Sequence, residues 1–332
     1  MEAVTVSDFE KFIEKPPFPT FVQFETNTIC NAQCRFCPHK TMKRRNQVAS
    51  WSTILKIIDE AIPHASACCP FLMQEPLLEP RLLPILSNIK QINRHCQTTI
   101  FTNMAAMTEE LARKIIESRW LDTLIISFYG PTKEIYNRLQ PPLDWEKTKQ
   151  NIKRFMEIRK EYNSDKPLVK MHYIALPELL RHYWQFYYEW INIVDDIGIV
   201  HYDDFHGDMP VLWEKTEQRI WGPPASERYP CPRLWSGINI LCDGTVVPCC
   251  IDYNATVKLG NIHEKTLHEI WLDEPFREIR EAHITGRYDD ISLCKNCKLW
   301  RYQHPPEWNL LWLSLIHISE PTRPRLISYA VF

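Results

Sequence analysis

Apolar positions between residues 21 and 203 fall into two alternating patterns. Short β-rich runs predict strands at Phe21–Glu25, Phe71–Met73, Thr98–Thr102, Leu124–Phe128, Leu168–Ile174 and Ile197–Tyr202. Between them, apolar residues recur at helical spacing over Trp51–Ile62, Arg81–Asn93, Glu109–Ser118, Trp145–Tyr162 and Leu179–Ile193. Six β/α units in succession call for parallel strands joined by crossover helices. The expected fold is α/β, a partial (β/α)6 TIM-like barrel open on one side. In such folds the reacting groups sit on loops at the carboxyl ends of the strands.

The pattern changes downstream. Residues 204–230 carry Pro210, Pro223, Pro224 and Pro230 with no clear period, and form a connector. From 231 to 303 the chain shows a hairpin signal, an Asp243-Gly244 turn between two β-rich arms, and then an amphipathic stretch over Thr266–Arg280. This predicts a small C-terminal hairpin-plus-helix domain after a 21–203 barrel, with residues 1–20 a short lead. The final stretch, 313–332, is different again. Leu313-Ser-Leu-Ile-His-Ile-Ser-Glu-Pro-Thr-Arg323 reads as the translation of a sequencing adapter. The native chain is therefore expected to continue differently after Trp312.

Composition narrows the class. The 332 residues are 45% hydrophobic and 24% charged, ordinary for a soluble protein with one large domain and a small one. No apolar run nears the roughly 18 residues of a membrane span. A net charge of −2 gives no broad nucleic-acid-binding surface. Lys40, Lys43, Arg44 and Arg45 are a local exception, read either as a solvated loop or as a landing patch for an acidic electron donor. The first residues, MEAVTVSDFEKF, lack the apolar core of a secretory signal. A cytoplasmic location follows as the expectation, with thiols reduced rather than paired.

Twelve cysteines then carry the chemistry. Cys30-Asn-Ala-Gln-Cys34-Arg-Phe-Cys37 follows the first strand, at the edge where reacting groups belong. Three thiolates on one loop can hold three corners of a cubane and leave the fourth iron open to a cofactor. Zinc, with His39 as fourth ligand, is the competing reading of the spacing. Cys68, Cys69 and Cys96 lie in apolar or mixed surroundings and read as packing residues. Six more gather between Cys231 and Cys297.

The C-x3-C-x2-C run, with Phe36 before its third cysteine, resembles the signature of the radical S-adenosylmethionine (radical SAM) enzymes. The resemblance implies that Cys30, Cys34 and Cys37 hold a [4Fe–4S] cluster whose open iron chelates S-adenosylmethionine. An electron from that cluster cleaves the cofactor to a 5′-deoxyadenosyl radical. In the family a Gly-Gly-Glu-Pro loop after the second strand grips the cofactor's amino group. Here Met73-Gln74-Glu75-Pro76 stands in register, so Gln74 and Glu75 are implied in cofactor binding. Thr102-Asn103-Met104 looks like the family's Thr-Asn-Gly, and Ser127 lies in a stretch similar to its Ser-hydrophobe-Asp-Gly. Asn103 and Ser127 are implied in the same way.

The second cysteine set resembles the SPASM or twitch extension of this family over about seventy residues. That resemblance implies one auxiliary [4Fe–4S] cluster; a second would need cysteines beyond Cys297. Cys294-Lys-Asn-Cys297 is a tight pair, and Cys231 begins the motif. Neighbouring residues on a strand face opposite ways, so Cys249 and Cys250 do not both ligate easily from extended backbone. The C-x17-C-x44-C-x2-C spacing looks like the single-cluster form and selects Cys231, Cys249, Cys294 and Cys297, with Cys242 to spare. The implied function is abstraction of hydrogen from a substrate carbon, with net oxidation of a carbohydrate-like or other small molecule. A peptide maturase acting on a ribosomal precursor is the alternative, and a zinc-binding interaction protein the alternative of another class. A flavodoxin- or ferredoxin-type donor is the implied redox partner, with no nucleic acid and no membrane.

Overall fold

In the computed structural model, residues 16–209 and 228–302 are described. The first fifteen residues of the lead, most of the connector, residue 303 of the C-terminal domain and the 313–332 stretch lie outside them.

Six parallel strands come first: β1 (Phe21–Phe24), β2 (Ala67–Cys69), β3 (Gln97–Thr102), β4 (Thr123–Ser127), β5 (Leu168–Ile174) and β6 (Asp196–Val200). Each pairs with the next in chain order. The crossovers carry α1 (Trp51–Ala61), α2 (Leu82–Ile92), α3 (Glu109–Ser118), α4 (Lys133–Leu139), α5 (Trp145–Glu161), α6 (Pro177–Leu180) and α7 (Tyr183–Trp190). Polar caps start several of them: Ser50, Thr108, Thr132 and Asp144 each accept a backbone N–H three residues on. Such a cap stabilises a helix by about 1 kcal/mol.

The second strand differs from its expected place. It is Ala67–Cys69, not Phe71–Met73, because Pro70 has no N–H to give the ladder and stops the strand before the apolar run begins. Phe71 instead stacks on Phe101 at 5.5 Å, and Leu72 and Met73 pack with Met42, Leu241, Val247 and Tyr253.

The C-terminal segment begins with α8 (Arg233–Ser236) and the hairpin β7 (Gly237–Ile240) and β8 (Thr245–Val247), followed by β9 (Gly260–Asn261). Gly244 turns the hairpin at φ +81°, which only glycine adopts without strain. β7 runs parallel to β1, pairing Phe21 with Gly237 through Phe24 with Ile240. One nine-stranded sheet therefore runs β6-β5-β4-β3-β2-β1-β7-β8-β9. The helical stretch expected over Thr266–Arg280 is two helices, α9 (Leu267–Leu272) and α10 (Glu274–Ile284), because Asp273 ends the first and caps the second. The short α11 (Ser292–Lys295) closes the series.

Two large cores result. One fills the space between β3–β6 and their helices. The other joins Val22 and Phe24 of β1 and Ile54, Ile57 and Ile58 of α1 to Ile238, Ile240, Val246, Trp271 and Phe276. Each such side chain stabilises the fold by roughly 1.5–3 kcal/mol when fully buried. Among the described residues no helix is long and apolar enough to cross a membrane.

Candidate metal centre

The Cys30–Cys37 loop leaves β1 at the carboxyl edge and is pinned by its own backbone. Gln33 and Arg35 donate their N–H groups to the carbonyls of Pro141 (2.6 Å) and Leu139 (2.9 Å), where α4 ends. Cys37 N–H reaches Cys34 O at 3.2 Å, and Ala32 N–H reaches Cys30 Sγ at 3.5 Å. Phe36 is buried and meets Tyr129 edge-on at 5.1 Å. His39 bonds the Thr28 carbonyl through Nε2 at 2.8 Å, so that nitrogen is engaged away from the thiols.

Burial pushes the Cys30 thiol up to about 12 and Cys34 well above its ordinary value. The second cause is mutual for Cys34, which feels both Cys37 and Cys30. Three half-buried thiols this close become thiolates only against positive charge, which suits a metal cluster. All twelve cysteines are free of disulfides. Among the described residues no three His, Cys, Asp or Glu side chains close on one point as a single ion requires. Three free thiols carried on one loop are a donor set that fits a cubane with one open corner.

The residues singled out after β2, β3 and β4 come together at this edge, and their bonds are specific. Glu75 is almost fully buried. Its carboxylate accepts from Thr102 Oγ1 (2.5 Å), Asn103 N (2.8 Å) and Leu77 N (3.1 Å). Burial raises its pKa to about 7, with those three donors pulling the other way. Its own N–H bonds Ile29 O at 2.8 Å, beside Cys30. Asn103 donates from Nδ2 to Asn31 Oδ1 at 2.8 Å, inside the cysteine loop. Gln74 faces back onto β1, accepting from Thr26 N (3.1 Å) and Asn27 N (3.3 Å). Its two neighbours there are held again by Glu79, which accepts from Asn27 Nδ2 and is clasped by Arg81. Ser127 ends β4 and meets the Tyr129 side chain, which lies beside Cys34 and Cys37. Met104, where the family has glycine, sits at φ +63°. This is the left-handed region that glycine enters freely and other residues enter at a cost of order 1–2 kcal/mol.

The second set assembles from separate segments. Cys231 precedes α8, Cys294 lies in α11, Cys297 follows it, and Cys249 and Cys250 lie beyond the end of β8. That last pair occupies a bend and turn rather than extended strand, so the alternation expected of them does not apply. Cys231 lies close enough to raise the pKa of Cys249, Cys294 and Cys297 alike. Cys250 is distinguished by its partners: a bond from Cys249 and then the Arg233 guanidinium, 3.2 Å away, lower its thiol below the ordinary value. His283 (1% exposed) joins this set, accepting from Cys231 N at 3.2 Å through Nδ1, with Nε2 3.3 Å from Cys294 Sγ. Burial, and then nearby Arg228, lower its pKa to about 3.

Cys242 stands apart from both sets. Its thiol donates to Glu25 Oε2 at 3.0 Å, and Glu25 is fully buried against Arg44 at 2.9 Å. Arg44 is thus an interior partner of Glu25, the residue after β1, and does not belong to the exposed basic patch, which is reduced to Lys40, Lys43 and Arg45. Residues that sequence reasoning did not find include Asn31, Gln140 and His283. Gln140 bridges Tyr129 N (2.8 Å) and Ser127 O (2.9 Å) and touches Cys34. It lies about a hundred residues beyond the motif it supports, with no local pattern to mark it. Asn31 lay inside the motif, and its polar side chain was a signal that could have been used.

Residues 24–191, just over half of the chain, match the model of the radical SAM superfamily, and residues 231–298 match SPASM, an iron–sulfur cluster-binding domain. The S-adenosyl-L-methionine-dependent 2-deoxy-scyllo-inosamine dehydrogenase of Niallia circulans is 23% identical over 283 residues, covering 84% of this chain and 92% of that protein. Among solved structures, BtrN in complex with AdoMet and 2-DOIA aligns with a TM-score of 0.57 and 17% identity, over 85% of this chain and 94% of that one. Streptococcus suis SuiB bound to its precursor peptide SuiA aligns with a TM-score of 0.63 and 15% identity, over 82% and 68%. At these identities the structural likeness is one of fold.

Proposed function

Because the chain belongs to the radical SAM superfamily, with a SPASM domain following its barrel, we propose that it oxidises a small, carbohydrate-like substrate by hydrogen abstraction. The observation that carries the reading is the loop itself: three free cysteines, spaced C-x3-C-x2-C, tied to the ends of β2 and β3 through Glu75 and Asn103. Cys30, Cys34 and Cys37 would hold the catalytic cluster. A [4Fe–4S] cluster with S-adenosylmethionine supplies a 5′-deoxyadenosyl radical when bound there.

The chain's own residues shape that site. Glu75 orders it, joining the ends of β2 and β3 and the cysteine loop by four hydrogen bonds. Its buried carboxylate is also the acceptor we assign to the cofactor's ammonium. Asn103 fixes the loop through Asn31, and Ser127 lines the cofactor side of β4. Gln74 acts from beneath, holding Thr26 and Asn27 in place. Cys231, Cys249, Cys294 and Cys297 would hold one auxiliary cluster, with Cys250 kept to Arg233 and Cys242 to Glu25. We assign residues 21–203 to the barrel and 231–303 to the auxiliary domain. Lys40, Lys43 and Arg45 are the proposed landing site for a flavodoxin- or ferredoxin-type donor in the cytoplasm.

The small-molecule reading is supported by the inosamine dehydrogenase, a relative over 84% of this chain; coverage itself does not choose, being 92% of that protein, 88% of the anSMEcpe structure with bound Cp18Cys peptide and 68% of the peptide-bound SuiB structure. The higher TM-score of the latter keeps a peptide substrate as the second reading. The test is anaerobic reconstitution of the full chain, iron and sulfide counts, and incubation with reductant and S-adenosylmethionine. About eight irons and release of 5′-deoxyadenosine are expected from two cubanes. An aminocyclitol that raises 5′-deoxyadenosine yield and is itself oxidised supports the proposal. Stimulation by a precursor peptide alone replaces it with the second reading, and zinc without iron overturns both.

A further inference from the structure

His283 has no role in the function proposed so far, yet it touches the first and third cysteines of the auxiliary set. It lies at the end of α10, fully enclosed, with its ring edge-on to Tyr288 at 5.1 Å. Its two nitrogens face different groups. Nδ1 lies 3.2 Å from the backbone nitrogen of Cys231, which can only donate. Nδ1 must therefore be the bare, accepting nitrogen. An imidazole with Nδ1 bare carries its proton on Nε2, and Nε2 lies 3.3 Å from Cys294 Sγ. The backbone of one cysteine thus fixes the tautomer, and the tautomer aims an N–H at the sulfur of another.

We infer that His283 is a positioning residue for the auxiliary cluster, donating an N–H···S hydrogen bond to Cys294 and setting the cluster's reduction potential. The inference rests on the cluster assignment made above and deepens it. A hydrogen bond to a ligand sulfur draws electron density from the cluster and favours its reduced form. The geometry also couples the first cysteine of the set to the third, 63 positions apart in sequence, through one rigid ring. Arg228 braces the same segment by donating from Nη2 to Cys294 O at 2.8 Å while its guanidinium lies 4.1 Å over the Tyr288 ring. Cys294 therefore receives one donor on its sulfur and another on its carbonyl.

The test uses the full-length chain carrying Cys30→Ala, Cys34→Ala and Cys37→Ala, so that only the auxiliary cluster reports. The protein is made with ¹⁵N-histidine, reconstituted anaerobically and reduced. Pulsed electron paramagnetic resonance is expected to show one weakly coupled imidazole nitrogen, absent from His283→Leu and His283→Gln. The midpoint potential of His283→Leu should fall by about tenfold in the reduced-to-oxidised ratio, ~59 mV for a one-electron couple. His283→Gln, which keeps an N–H near the position of Nε2, should recover part of that shift. Iron retained with no histidine coupling and an unchanged potential overturns the inference. So does a coupling strong enough for direct ligation of iron. If His283→Leu fails to hold iron, the label in the parent chain and the potential of His283→Gln decide between the same two outcomes. No iron uptake by the parent chain refutes the auxiliary cluster itself, and this inference with it.

Discussion

The two cysteine sets are built in opposite ways. Cys30, Cys34 and Cys37 arrive together on eight consecutive residues, and distant parts of the barrel reach in to hold their loop: Pro141, Leu139, Asn103 and Glu75. In the auxiliary set the cysteines themselves come from distant places, and the holding groups, Arg233 and His283, stand among them. A loop that carries its own ligands needs a rigid floor. A set gathered from separate segments needs cross-braces between the segments. In the proposed assignment the first design leaves one corner free for a cofactor, whereas the second supplies four thiols.

That contrast can be broken first at the ligands. Cys34→Ala should abolish 5′-deoxyadenosine formation and lower iron by about four per chain. Cys231→Ala should lower iron equally while leaving reductive cleavage of S-adenosylmethionine measurable. Equal loss of cleavage in both variants would mean that the two sets do not act separately.

The floor of the first site makes the next largest prediction. Burial raises the Glu75 carboxyl to about 7 from an ordinary 4.5. The metal-free chain therefore holds this stability fully below pH ~4.5 and loses it as pH rises through ~7. The loss is up to about 3 kcal/mol. Urea unfolding of the metal-free chain across that range checks it, and Glu75→Gln should flatten the dependence.

Smaller effects sharpen the boundary of each site. A Cβ on Gly130 would come within 2.7 Å of Tyr136 and 2.9 Å of Trp145. Gly130→Ala should cost about 1–3 kcal/mol by overpacking and lower the melting temperature with iron content unchanged. Cys242→Ala should do least, about 1 kcal/mol for the lost bond to Glu25, again with a full iron count. A fall in iron there would move Cys242 into the auxiliary set.

Where local chemistry decided the structure, the sequence was legible. The alternation of runs foretold six parallel strands, and Asp243-Gly244 foretold the hairpin, because periodicity and turn chemistry are local. The second strand was misplaced because apolar content at Phe71–Met73 outweighed Pro70, whose missing N–H was the better guide. The helix α4 went unseen because seven residues are too few to establish a period. Arg44 looked like surface because charge is the default mark of a loop, and its partner Glu25 lies 19 residues away, just past β1. Cys249 and Cys250 were argued from strand geometry that ends at Val247. At the site, the cysteine loop was marked by spacing, whereas Gln140 and His283 act through contacts between elements that no spacing records.

The pairing of β1 with β7 has a consequence for how the protein is made. Phe21 must wait for Gly237 to be synthesised before that side of β1 has a partner. At ~5–20 residues per second the interval is roughly 10 to 40 seconds. Throughout it, the strand that launches the cysteine loop presents an open row of N–H and C=O groups, a template on which another nascent chain can pair. That edge of the first strand thus stays open until the hairpin of β7 and β8 arrives.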